Sequence, residues 1–159
     1  MAEMHAVNQR LKWPLIIAVG LIVIRIVLEQ LGAPEVVNNI FGVAWLYFLV
    51  PIYFAIQIRQ HAEAGPVKSL LIHVSLFAVY TRLMVMVTYM LAYVFKWSAP
   101  RFHLQQGGVV GEGVTPLQGL LLIPLRNLVI WVVSATIIGM IIGGITLALK
   151  KSPAAESAA

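Results

Sequence analysis

The sequence contains neither cysteine nor aspartate, and charged residues of either sign are scarce. Without cysteine there is no disulfide, no thiolate nucleophile and no Cys-ligated metal or cluster, so the redox state of the compartment leaves no mark. Without aspartate, the Asp-rich metal motifs of phosphotransferases and the Walker B position are excluded as well. All six acidic residues are glutamates.

What fills the chain instead is hydrocarbon. Apolar residues make up 60% and charged residues 11%, against about 45 to 50% and 25% in soluble domains. Mean hydropathy is +0.91. A soluble domain of 159 residues has too little interior for that much apolar surface, whereas a bilayer removes the need to hide it. The net charge of +5 would suggest nucleic acid in a soluble protein, but no basic run with interleaved aromatics is present. In a membrane chain the placement of each Lys and Arg matters more than the total.

Hydropathy predicts an all-α integral membrane protein, a bundle of four transmembrane helices spanning about 13–31, 40–58, 69–95 and 128–149. Residues 1–12 form a polar, basic N-terminal segment, and 150–159 a disordered tail. The first run reads as an uncleaved signal anchor, because "QLGAPE" lacks small residues at both cleavage positions. Pro51 removes a backbone donor within the second run and predicts a kink or hinge. The stretch "QQGGVVGEG" favours turns and flexible backbone. "TPLQGLLLIP", fenced by Pro116 and Pro124, is too short to span and predicts an interfacial or re-entrant helix at about 115–123 on the outer face.

Basic residues set the orientation. Arg10, Lys12, Arg59, Lys68, Lys150 and Lys151 fall on one side, and Lys96 and Arg101 on the other. That bias places both termini in the cytoplasm and the chain in the inner membrane.

Three arginines remain outside the loops: Arg25, Arg82 and Arg126. At ~1.5 Å per residue from the cytoplasmic edge, Arg25 lies roughly 17 Å deep and Arg82 roughly 18 Å, while Arg126 lies about 36 Å away at the outer boundary. Glu29 follows Arg25 by four residues, so the two share a helix face and form a local pair. A lone arginine at the helix centre costs about 2.5 to 3.5 kcal/mol. One glutamate cannot neutralise both central arginines.

Two readings of this group follow. In one, Glu29 bridges Arg25 and Arg82, and the network fixes helix register. In the other, Arg25, Glu29, Arg82, Tyr89 and Arg126 form an anion site for a lipid phosphate, a solute or an acidic partner residue, held by guanidinium forks. Ser75, Arg82 and Tyr89 recur every seven residues and bring hydroxyls to that stripe.

Ala135, Gly139 and Gly143 make a smooth face on the last span, suited to close approach of another helix, whether from this chain, a second copy or a larger complex. His73 is the one histidine within a span. A bis-histidine haem would need a second at matching depth, so no cofactor is expected from this chain alone, nor any metal site.

Three functions remain in view. The first is an accessory or assembly subunit acting by helix packing on other membrane subunits or on itself. The second is an oligomeric transport or lipid-binding protein holding an anionic lipid or solute at its arginines. The third is a membrane enzyme acting on a lipid.

Overall fold

The computed structural model describes residues 2–150, and most of the tail expected to be disordered lies outside them. Among the described residues the chain is helical, with no strand and one isolated bridge between His103 and Val110. In chain order come α1 (Ala2–Gln30), the short α2 (Glu35–Ile40), α3 (Leu46–Gln60), α4 (Pro66–Phe95) and α5 (Ile123–Leu149). Four helical stretches are long and apolar enough to cross a membrane: Val7–Gln30, Glu35–Gln60, Pro66–Phe95 and Gln118–Leu149.

The core lies where α3, α4 and α5 meet, around the fully buried Phe54, Phe77, Ile58 and Leu70. α1 packs against α4 and, less extensively, α3. The stripe through Leu11, Pro14 and Ala18, all buried, turns one face of α1 toward the bundle. Continued at the same three- and four-residue spacing, it reaches Arg25 and Glu29. The helix therefore delivers its two charges inward. Opposite faces stay apolar and exposed, for example at Ile24, Leu49, Ile137, Ile141 and Ile145.

Two elements differ from the sequence reading. The second apolar run is not one helix, because it breaks at Phe41–Gly42, passes through a 3-10 turn at Val43–Trp45 and becomes regular from Leu46. A Cβ on Gly42 would stand 3.0 Å from the Asn39 carbonyl oxygen and 3.1 Å from Arg25 Nη1. The glycine at the break therefore gives an arginine room.

The short helix expected at 115–123 is likewise not fenced off. Helix starts at Pro116 and continues through a π-helical segment, Gln118–Leu122, directly into α5. Pro116 occupies a first-turn position where no donor is needed. Thr115 and Gln118 form a reciprocal capping box: the Thr115 amide donates to Gln118 Oε1 at 2.9 Å, and the Gln118 amide to Thr115 Oγ1 at 3.3 Å. The wider π register ends beside Pro124, whose missing donor it helps accommodate. "TPLQ" is thus a start signal.

Charges also tie the end of the bundle opposite the central arginines. Arg59 donates from Nε and Nη2 to the Leu147 carbonyl at 3.0 and 2.7 Å, closing the C-terminal turn of α5 from α3. Arg10 on α1 pairs with Glu63 in the α3–α4 connection, and Ser69 Oγ donates to the same carboxylate at 2.5 Å. Partial burial pushes the Glu63 carboxyl up, but the Ser69 hydroxyl and Arg10 outweigh it and hold the group below its ordinary value.

A depressed carboxylate stabilises the fold above its unfolded pKa, about 4.3, and that contribution is lost as pH falls through the folded value. The thermal midpoint of the purified protein is therefore expected to drop on acidification below about pH 4.3. Glu63→Gln should flatten that part of the profile. A profile that Glu63→Gln leaves unaltered would count against the pair.

Candidate anion site

Glu29 is the hub of the charged group. Its side chain is only 2% exposed, and its Oε1 accepts a hydrogen bond from Arg25 Nε at 2.8 Å. Arg25 reaches further, donating from Nη2 to Asn39 Oδ1 at 3.3 Å across the gap that Gly42 leaves. The i,i+4 pair read from the sequence is therefore present, with α2 as a second support.

The same Oε1 also lies 2.7 Å from Arg101 Nε, in an ion pair whose N–H is not aligned for a hydrogen bond. Arg101 comes from the α4–α5 connection. It arrives there because Phe102, fully buried, anchors a 3-10 turn (Pro100–Phe102) against Tyr89, Trp97, Ala92 and Val109. Leu104 and Val110 then close the loop with backbone bonds of 2.8 Å, Leu104 N–H to the Val110 carbonyl and Val110 N–H to the Phe102 carbonyl. Only glycine fits at 108, where a Cβ would collide with the Phe102 carbonyl. The glycine-rich stretch expected to be flexible is here a tied turn. Burial draws the Arg101 guanidinium below its ordinary pKa, and neighbouring Glu29 offsets part of that.

Arg82 stands differently. It is buried on α4, with its guanidinium carbon 4.2 Å from the Trp131 ring centroid and 5.0 Å from that of Tyr47. Among the described residues no carboxylate lies within ion-pair distance of it, and its Nε and the Tyr47 hydroxyl are buried with no hydrogen-bond partner. Cation–π contact softens the desolvation of a guanidinium without neutralising it. The bridge from Glu29 to Arg82 in the register-fixing reading is not made; Glu29 holds Arg25 and Arg101.

These groups border one cavity of about 220 Å³. Arg25, Arg82 and Arg101 contribute to its wall together with Tyr89 and Trp131, and Ile22, Val43, Ala44 and Val85 supply apolar surface. Of the residues singled out in the sequence, Arg25, Arg82 and Tyr89 come together here with Glu29 behind them. Ser75 is not part of the wall. Arg126 faces a different hollow of about 360 Å³, beside Glu112, Gln118 and Leu104.

Arg101 is the residue the sequence reading missed. The sequence assigns it to the outer loop, and its signal is the apolar company it keeps: a loop holding Trp97, Phe102, Leu104 and Val109 has reason to fold back on the bundle.

The remaining candidates lie elsewhere. Ala135 and Gly139 are buried, as is Gly143, and their face of α5 meets α3 and α4 of the same chain. A Cβ at Gly139 would stand 2.5 Å from Val74 Cγ1 and 3.1 Å from Pro51 Cγ; one at Gly143 would stand 2.9 Å from Leu70 and 3.2 Å from the Pro51 carbonyl oxygen. Pro51, the expected kink and candidate hinge, is thus wedged against α5. His73 is buried near Phe54, its Nδ1 2.8 Å from the Ser69 carbonyl.

Glu29→Gln is expected to destabilise the protein by about 3 kcal/mol, because it strands two guanidiniums that share one carboxylate. Thermal melting in detergent measures this. An unmoved midpoint would mean that the ion pairs contribute nothing.

The chain matches no family model, no curated protein and no solved structure.

Proposed function

We propose that this chain is an integral membrane protein, with both termini cytoplasmic, that binds an anionic group of a lipid or solute between α1, α4 and the α4–α5 connection. The bilayer setting is supported by the exposed aliphatic faces of four long apolar helices. The excess of Lys and Arg at one end supports the orientation.

One observation carries the binding reading: three guanidiniums border a single cavity and one glutamate serves two of them. Intramembrane charge that is not neutralised within the chain is expensive. An anionic ligand offsets that cost. The accessory-subunit reading rests on the small-residue face of α5 together with short loops and the lack of a catalytic constellation, and Pro51, Leu70 and Val74 already fill that face. The binding reading therefore takes precedence.

Purification from the native membrane in mild detergent, followed by native mass spectrometry, tests it. The expected spectrum shows the protein with a retained anionic lipid or solute, or one that readily binds when supplied. Protein that neither retains nor takes up any anion would overturn the proposal.

A further inference from the structure

Resting on that anion-binding reading, we infer that the ligand group is a phosphomonoester carrying two negative charges, rather than a carboxylate or a phosphodiester. The charge balance argues first. Arg25, Arg82 and Arg101 face the cavity, and the acid beside them is Glu29, whose Oε1 both Arg25 and Arg101 engage. Two positive charges remain over. A carboxylate or phosphodiester brings one negative charge and leaves a guanidinium uncompensated, whereas an ionised phosphomonoester brings nearly two.

The donor geometry argues the same way. Trp131 and Tyr47 cover the guanidinium of Arg82 at 4.2 and 5.0 Å, so it recognises a ligand through its in-plane N–H edge. Arg25 and Arg101 commit Nε to Glu29, and Arg25 also gives Nη2 to Asn39, so Arg25 Nη1 and the terminal nitrogens of Arg101 are the donors left for a ligand. N–H donors arriving from three elements suit a tetrahedral group with three terminal oxygens, while a carboxylate offers two in one plane. The apolar part of the wall, Ile22, Val43 and Val85, gives space to hydrocarbon attached to the phosphate. The same phosphate chemistry also exists in free inorganic phosphate.

The test uses the full chain in detergent micelles doped with dioleoyl phosphatidic acid or with dioleoyl phosphatidylmethanol, in which one methyl group removes the second charge. Binding is read at pH 8 by native mass spectrometry. Phosphatidic acid is expected to bind at least about tenfold more tightly, and Arg101→Gln should remove most of that preference. Equal binding of the two lipids, or a preference that survives in Arg101→Gln, would overturn the inference while leaving an anion site standing. Failure of both lipids and of inorganic phosphate to bind would overturn the anion site itself. Displacement of phosphatidic acid by inorganic phosphate supports a soluble phosphate as the source. Retention of the lipid against excess phosphate supports a lipid headgroup.

Discussion

Arg82→Gln is expected to weaken anion binding roughly 30-fold, the loss of about 2 kcal/mol from one charge-assisted contact, while the protein stays at least as stable as before. The second half of that expectation separates a functional arginine from a structural one. Removing one member of a buried ion pair strands the other, but Arg82 has no acidic partner among the described residues and a buried Nε without a hydrogen bond. Glutamine removes a desolvated charge and forfeits only the cation–π contact with Trp131 and Tyr47, worth about 1 to 2 kcal/mol. Binding by native mass spectrometry and melting in detergent, run on the same preparation, report both quantities. A variant that binds normally but melts well below the wild type would make Arg82 a packing residue.

The second large effect belongs to α5. Gly139→Leu is expected to cost more than about 3 kcal/mol and to leave little folded protein, since overpacking by even a few methylenes costs ~1–3 kcal/mol. Here the first added carbon already meets Val74 Cγ1 at 2.5 Å and Pro51 Cγ at 3.1 Å. Gly144→Leu, one residue beyond Gly143 on the open side, has nothing within 4 Å of its Cβ and should melt with the wild type. The pair distinguishes packing within the chain from docking of a partner. A monodisperse, normally melting Gly139→Leu protein that had merely lost a larger complex would show that the face serves another chain.

Much of the architecture was legible because apolar run length and helical spacing are local properties. The four long helices follow from them, and so does the Arg25–Glu29 pair, which needs only an i,i+4 offset on one helix. Depth arithmetic put Arg25 and Arg82 at one level, and the two do border a common cavity.

What escaped was non-local. Arg126 seemed to complete the cluster by its position near the outer boundary, but α5 turns it toward Glu112 and Gln118 instead. Arg101 takes that place because Phe102 buries itself 5.2 Å from the ring of Tyr89, a contact between a loop and a helix that no periodicity encodes. The break at Gly42 was hidden for the same reason: the glycine there lies against an arginine on another helix. The continuity of 115–123 with α5 was legible in principle, from the Thr115–Gln118 capping box, had the prolines not been read as stops.

The contacts of α1 carry a consequence for how that helix is positioned along its own axis. In the proposed bilayer setting apolar side chains gain little by exchanging lipid for protein, and the middle of the stripe, around Ala18, is smooth. Sliding α1 by one turn would displace it by about 5.4 Å at small cost to that surface. Polar contacts resist the movement: Arg10 to Glu63 near one end, and Glu29 to Arg101 with Arg25 to Asn39 near the other. The helix behaves as a bolt latched at both ends, its height fixed by contacts that fall away steeply over a few ångströms.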